Sequence, residues 1–254
     1  MNCELKTGTF WDHLEELRWV ILRSLAVTVL SGVAAFCLKD WLFAVVLAPL
    51  TSDFVTFRLL GVAPFSVHLM NTGLTEQFMT HVRVAMYAGL LCAAPYIIYE
   101  LFRFVSPGLY ANERRAGRWV VGAGYLMFMT GTLLNYLLIF PLTVRFLGTY
   151  QVSPDVDSML TLQSYVDTLL SMSLVMGVIF QLPVVCAIMG RMGLVSASLM
   201  VRYRRHAIVA ILIVAAIITP TTDVFTLCIV SLPIWLLYEV SILVVPKRQA
   251  TKLA

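Results

Sequence analysis

Charge is scarce in this chain. Of 254 residues, 13% are Asp, Glu, Lys or Arg and 60% are apolar, where a soluble domain carries about 25% charged and 45–50% apolar residues. With a mean hydropathy of +0.87, the chain has too few polar groups to coat a water-soluble fold. The same numbers exclude disordered, collagen-like and coiled-coil chains. Cysteine is sparse too. Cys3, Cys37, Cys92, Cys186 and Cys228 are odd in number, far apart and without a CxxC pair. That excludes a disulfide framework or a zinc site and leaves them as small buried apolar residues. Catalytic signatures are missing as well: no GxxxxGKS loop, no HExxH, no GxSxG. His13, His68, His81 and His206 are scattered, Asp167 and Asp223 fall near span ends, and Ser171 and Ser173 have no histidine in a second span. The chain is therefore expected to be no enzyme and to need no metal or cofactor. A cleavable leader is also lacking, because Glu4, Lys6, Asp12, Glu15, Glu16 and Arg18 precede the first apolar stretch, so the first span is expected to stay.

What remains is a polytopic membrane protein. Six apolar segments are legible: Val20–Leu38, Phe78–Tyr99, Trp119–Phe140, Ser164–Met189, Ala207–Ile218 and Val224–Val245. Crossing about 30 Å takes roughly 20 helical residues. The fifth segment, from Ala207 to Ile218, is too short for that, and it pairs with the sixth through the turn Thr219-Pro-Thr-Thr-Asp223. Pro95, Pro183 and Pro233 fall inside spans, and Pro141 and Pro246 near ends, predicting kinked helices. The stretch Trp41–Leu50, ending Ala48-Pro49-Leu50, reads as a short helix at the outer interface. A second outer loop is placed near Leu142–Gln163. No repeat or linker is visible, so residues 1–254 read as one six-span membrane domain.

The basic residues set the orientation. With the N-terminus inside, Lys6, Arg18, Arg103, Arg114, Arg115, Arg118, Arg191, Arg202, Arg204, Arg205, Lys247, Arg248 and Lys252 face the cytoplasm. Only Lys39, Arg58 and Arg145 lie outside, and Arg23 and Arg83 fall within spans. This bias places both termini in the cytoplasm. It also removes nucleic acid as a partner, since each basic cluster abuts a span. Arg83, close to the outer end of its span, reads as snorkelling.

Two cytoplasmic stretches stand out. One is His13-Leu-Glu-Glu-Leu-Arg18, running straight into the first span. The other is Phe104-Val-Ser-Pro-Gly-Leu-Tyr-Ala-Asn-Glu-Arg-Arg115, between spans two and three. Together they resemble the TatC family of twin-arginine translocase subunits, whose hallmarks are HLxELR and PGLYxxERR. Further matches follow along the whole chain: Ala48-Pro49-Leu50, Phe78, Pro95, Tyr99, Tyr136, Pro141, Phe180-Gln-Leu-Pro183, Arg204-Arg205, Thr219-Pro220, Asp223, Pro233 and Leu237-Tyr-Glu239.

The resemblance implies an all-α, six-helix protein of the bacterial inner membrane. It implies a receptor for the twin-arginine signal peptides of folded proteins, working with TatA/TatB-type single-span partners, self-associating, and driven by the proton-motive force. It implies a signal-peptide site at Glu16 and Glu113, with His13, Arg18, Phe104, Pro107, Leu109, Tyr110, Arg114 and Arg115 around them. Partner-helix contacts are implied at Gln181 (where the family commonly has Glu), Pro183, Tyr238 and Glu239. Structural roles are implied for Pro49, Phe78, Pro95, Pro233 and Asp223. The chemistry suits the residues, because each peptide guanidinium is a planar fork that pairs bidentately with a carboxylate and lysine is a poorer substitute.

Plainer readings stand beside these. Glu16 and Arg18 also serve as a helix-start charge pair. Glu113 softens its basic loop, Pro107-Gly108 stops a helix, and Arg114 and Arg115 read first as topology determinants. Gln181 is equally satisfied by the carbonyl that Pro183 frees, and Glu239 by snorkelling. After HLxELR the family often continues with basic residues, where this chain has Trp19 and Val20. The alternative function is a secondary transporter of a small solute, which would act without partner proteins and ignore Arg-Arg peptides.

Overall fold

The computed structural model describes residues 10–51, 54–59, 61, 69–105, 114–149, 160–219 and 223–245. The helices run α1 Phe10–Phe36, α2 Lys39–Leu47, α3 Val55–Leu59, α4 Glu76–Val105, α5 Arg114–Leu134 and α6 Phe140–Thr149. They continue α7 Leu162–Ile179, α8 Leu182–Arg191, α9 Ala197–Arg202, α10 Arg204–Ile218 and α11 Val224–Val244. Two short strands, β1 Leu69–Met70 and β2 Leu160–Thr161, pair in parallel with Leu69 opposite Leu160. Among the described residues, six stretches are long and apolar enough to cross a membrane: Leu14–Phe36, Lys39–Leu59, Glu76–Phe104, Val120–Thr149, Leu162–Arg191 and Val224–Val244. Their apolar residues point outward: Leu30 is 71% exposed, Ile217 78% and Leu243 84%, which only a lipid surround accommodates. Three of the cysteines expected inside, Cys37, Cys92 and Cys228, also face outward, as free thiols on apolar faces.

Five of these stretches match segments read from the sequence. The sixth is the Lys39–Leu59 region, expected as one interfacial helix and built instead from α2, a 3₁₀ turn at Ala48–Leu50 and α3. The short fifth segment gains Arg204, Arg205 and His206 and becomes the 15-residue α10, still only about 22 Å long.

The chain forms two compact units, residues 1–39 with 85–125, and residues 40–84 with 126–254. In the first, α1 packs antiparallel on the later part of α4. The crossing is made by two glycines. A Cβ on Gly89 would lie 2.4 Å from the Gly32 nitrogen and 2.7 Å from the Thr28 carbonyl oxygen. No side chain longer than hydrogen fits between backbones this close, which is how helices associate where no hydrophobic force drives them.

In the second unit, α7, α10 and α11 enclose an apolar core containing Met172, Met176, Ile211, Ala215, Val230 and Ile234. Prolines shape the elements around it. Pro141 has no N–H for the Leu137 carbonyl four residues back. The helix therefore widens into a π turn at Asn135–Ile139, with the Phe140 N–H on the Asn135 oxygen, and the Thr56 hydroxyl donates to the freed Leu137 carbonyl. The helix then runs on to Thr149, so residues Leu142–Thr149, expected in a loop, are helical. Pro49 likewise frees the Val45 carbonyl, which accepts from the Tyr136 hydroxyl at 2.7 Å; the adjacent Val46 carbonyl accepts from Tyr165 at 2.8 Å. Neighbouring hydroxyls thus satisfy the carbonyls that proline exposes, as an apolar surround requires.

Pro183 breaks the predicted fourth span at Phe180–Gln181, separating α7 from α8. Pro95 stays inside α4, and Pro233 sits buried inside α11. Asp223 caps α11, accepting from the Thr226 N–H at 2.7 Å. The first turn of α4 is fixed by Glu76, whose carboxylate accepts from the N–H groups of Thr72 (2.8 Å), Gly73 (2.9 Å) and Gln163 (2.8 Å). Arg83, read as snorkelling, is 46% exposed and pairs with Asp167 of α7, an opposite charge within reach.

Candidate functional site

Helical spacing builds a two-sided pocket where α1 begins and α4 ends. Glu16, Trp19, Val20 and Arg23 recur every three or four residues and share one face of α1; Tyr96, Glu100, Arg103 and Phe104 do the same on α4. The glycine crossing holds the two helices together. Between them lies a pocket of about 280 Å³ lined by Glu16, Trp19, Val20, Arg23, Glu100, Arg103 and Phe104.

Its two carboxylates differ. Glu16 is exposed at the mouth. Glu100 is buried, 4% exposed, and its Oε1 accepts from the Tyr96 hydroxyl at 2.9 Å. The Arg23 guanidinium approaches the same oxygen at 3.9 Å. That distance keeps Coulomb attraction but is too long for a hydrogen bond. Trp19 and Phe104 add flat apolar walls against which a guanidinium stacks. The arrangement suits a cation with a planar, hydrogen-bonding head. Among the described residues, no cluster of three His, Cys, Asp or Glu is arranged to hold a metal ion.

Of the site read from the sequence, Glu16 and Phe104 meet in this pocket, and Arg18 is exposed on α1 outside its lining. Glu113, Pro107, Leu109 and Tyr110 lie outside the described residues, as do the side chains of His13, Arg114 and Arg115. Sequence reasoning did not assign Glu100 to the site. Trp19 was noted only for its place after HLxELR, and Arg23 as falling within a span. The i, i+3, i+4, i+7 spacing from Glu16 and the i, i+4, i+7, i+8 spacing from Tyr96 are the signal that unites them.

The second group falls elsewhere. Gln181 occupies the break before α8, where its carbonyl accepts the Val185 N–H at 2.9 Å and Pro183 is buried beside it. Glu239 pairs with Arg204 across the α10–α11 hairpin. The Tyr238 hydroxyl donates to the Met200 carbonyl at 2.8 Å. Phe78 stands 59% exposed on α4 and Pro49 is buried.

These features define a multi-pass α-helical membrane protein with an acid-bearing pocket at the end of one helix pair. Comparison with known proteins narrows the class. The TatC family model, described as Sec-independent protein translocase protein (TatC), matches residues 12–233. The "Sec-independent protein translocase protein TatC" of Deinococcus radiodurans is 34% identical over 94% of this chain and 86% of its own. The protein of the same name from Carboxydothermus hydrogenoformans is 30% identical over 95% of this chain and 94% of its own. Two crystal structures titled as the twin arginine translocase receptor TatC superpose with TM-scores of 0.76 and 0.78 at 27% and 26% identity. They cover 91% and 92% of this chain, and 97% and 99% of their own. The chain belongs to the TatC family, and is a component of a Sec-independent twin-arginine protein translocase.

Proposed function

We propose that this chain is the signal-peptide receptor of a twin-arginine export system in a bacterial inner membrane, acting as one domain with both termini in the cytoplasm. The observation that carries the reading is the α1–α4 pocket. It brings Glu16 of the HLxELR segment to Phe104, where the PGLYxxERR stretch begins. Glu16 and Glu113 are the arginine-binding carboxylates, and the loop from Phe104 to Arg115 is the platform on which the peptide lies. Charge-assisted pairs with a guanidinium fork contribute about 1.5–3 kcal/mol each when partly desolvated, which is tenfold or more in Kd. As a translocase component, the protein acts as a non-catalytic transport subunit. TatA/TatB-type helices are the partners, with Gln181 at the helix break as one polar contact. Copies of this chain associate in the receptor complex. That the family model runs through both compact units supports a single working domain.

Binding of a fluorescent signal peptide to the purified protein in nanodiscs tests this reading. An Arg-Arg peptide is expected to bind at least about tenfold tighter than its Lys-Lys counterpart, and Glu16→Gln or Glu113→Gln to erase most of that preference. Equal binding of both peptides, whatever stands at 16 and 113, overturns the assignment.

A further inference from the structure

We propose that Arg23 is a built-in competitor for the signal peptide: its guanidinium rests against the Glu100 carboxylate, and a peptide arginine entering the α1–α4 pocket displaces it. The inference rests on the receptor reading and extends it to a deeper carboxylate and to how that carboxylate is guarded.

Three observations carry it. Glu100 is buried, yet its cation partner sits at 3.9 Å, and only the Tyr96 hydroxyl completes a hydrogen bond to it among the described residues. A buried carboxylate is stabilised by close, directed donors. The Arg23 contact holds charge balance without supplying them, so a better-placed fork wins. Second, Arg23 is easily moved. Its side chain is 53% exposed rather than enclosed by neighbouring residues, so it changes rotamer and leaves α1 in place. Third, the pocket is of the right scale. At about 280 Å³ it falls at the lower limit of ligand sites, room for one long side chain rather than a folded segment. Trp19 and Phe104 flank that space. An incoming arginine therefore exchanges like for like at Glu100 and keeps the charge count of the pocket unchanged. Glu16, exposed at the mouth, meets the cation first, and Glu100 holds it.

The test is a double-mutant cycle read by peptide binding in nanodiscs, with wild type, Arg23→Gln, Glu100→Gln and the double variant. Arg23→Gln is expected to tighten the Arg-Arg peptide roughly two- to fivefold, the range of a half-exposed ion pair. Glu100→Gln is expected to weaken it, and adding Arg23→Gln to Glu100→Gln to change nothing further. Unchanged or weaker binding by Arg23→Gln overturns the proposal. Equal tightening with and without Glu100 overturns it too, since that reports general charge repulsion. Should Arg23→Gln fail to fold, Glu100→Gln alone decides: unaltered Arg-Arg affinity removes Glu100 from the site. A wild type that does not prefer Arg-Arg to Lys-Lys defeats the receptor reading instead.

Discussion

At the scale of single residues, hydroxyl groups carry unusual weight. Tyr165 is 1% exposed, and its hydroxyl is bonded to the Val46 carbonyl from 119 residues away. Tyr165→Phe strands that carbonyl in an apolar surround and is expected to cost about 1–3 kcal/mol, measured by denaturant unfolding in detergent. Tyr136→Phe removes the analogous bond to Val45 at a more exposed position, and is expected to cost less, about 0.5–1.5 kcal/mol. Equal losses at both sites would show that burial does not set the cost. None of these partners was legible in the sequence. The prolines announce that a carbonyl is freed, but not which distant hydroxyl takes it. Asp223, by contrast, caps a helix only three residues on, and a local signal of that kind reads directly.

At the scale of elements, one contact positions the pocket. Because the Gly89 site abuts the backbone of α1, Gly89→Ala forces α1 and α4 apart, and is expected to lower stability by about 1–3 kcal/mol and to weaken peptide binding with it. Gly122 of α5 makes the control, since a Cβ there meets nothing within 4 Å. Gly122→Ala should be neutral or stabilising by about 0.5–1 kcal/mol. Thermal unfolding of both in one detergent decides; a tolerated Gly89→Ala would refute the close crossing. Apolar runs showed where spans lie, because burial in lipid demands them. They did not show that the helix passes Pro141 to reach Thr149, since the π turn that permits it depends on Thr56, far off in sequence. The face uniting Glu16 with Arg23, and Tyr96 with Phe104, was there to be read. What made it a pocket was the pairing of α1 with α4, which periodicity alone does not specify.

At the scale of the whole molecule, the basic residues fix an expectation about sidedness. With the native cysteines replaced, Ser196→Cys in the turn before α9 is expected to react with an impermeant maleimide only from the cytoplasmic side. Asn71→Cys, before α4, should react only from the other. The reverse pattern overturns the orientation and moves the pocket to the wrong face for a receptor of unexported cargo. The family was legible because its two motifs lie whole in the sequence. Their geometry was legible only for the part borne on helices, where the turn fixes the spacing.

The bond between Tyr165 and Val46 has a consequence in time. At about 5–20 residues per second, the ribosome needs roughly 6–24 s to make the 119 residues between them. Throughout that interval the Val46 carbonyl lacks its eventual donor, and water or another protein must stand in. The region around Pro49 is therefore made early and completed only once α7 has been made.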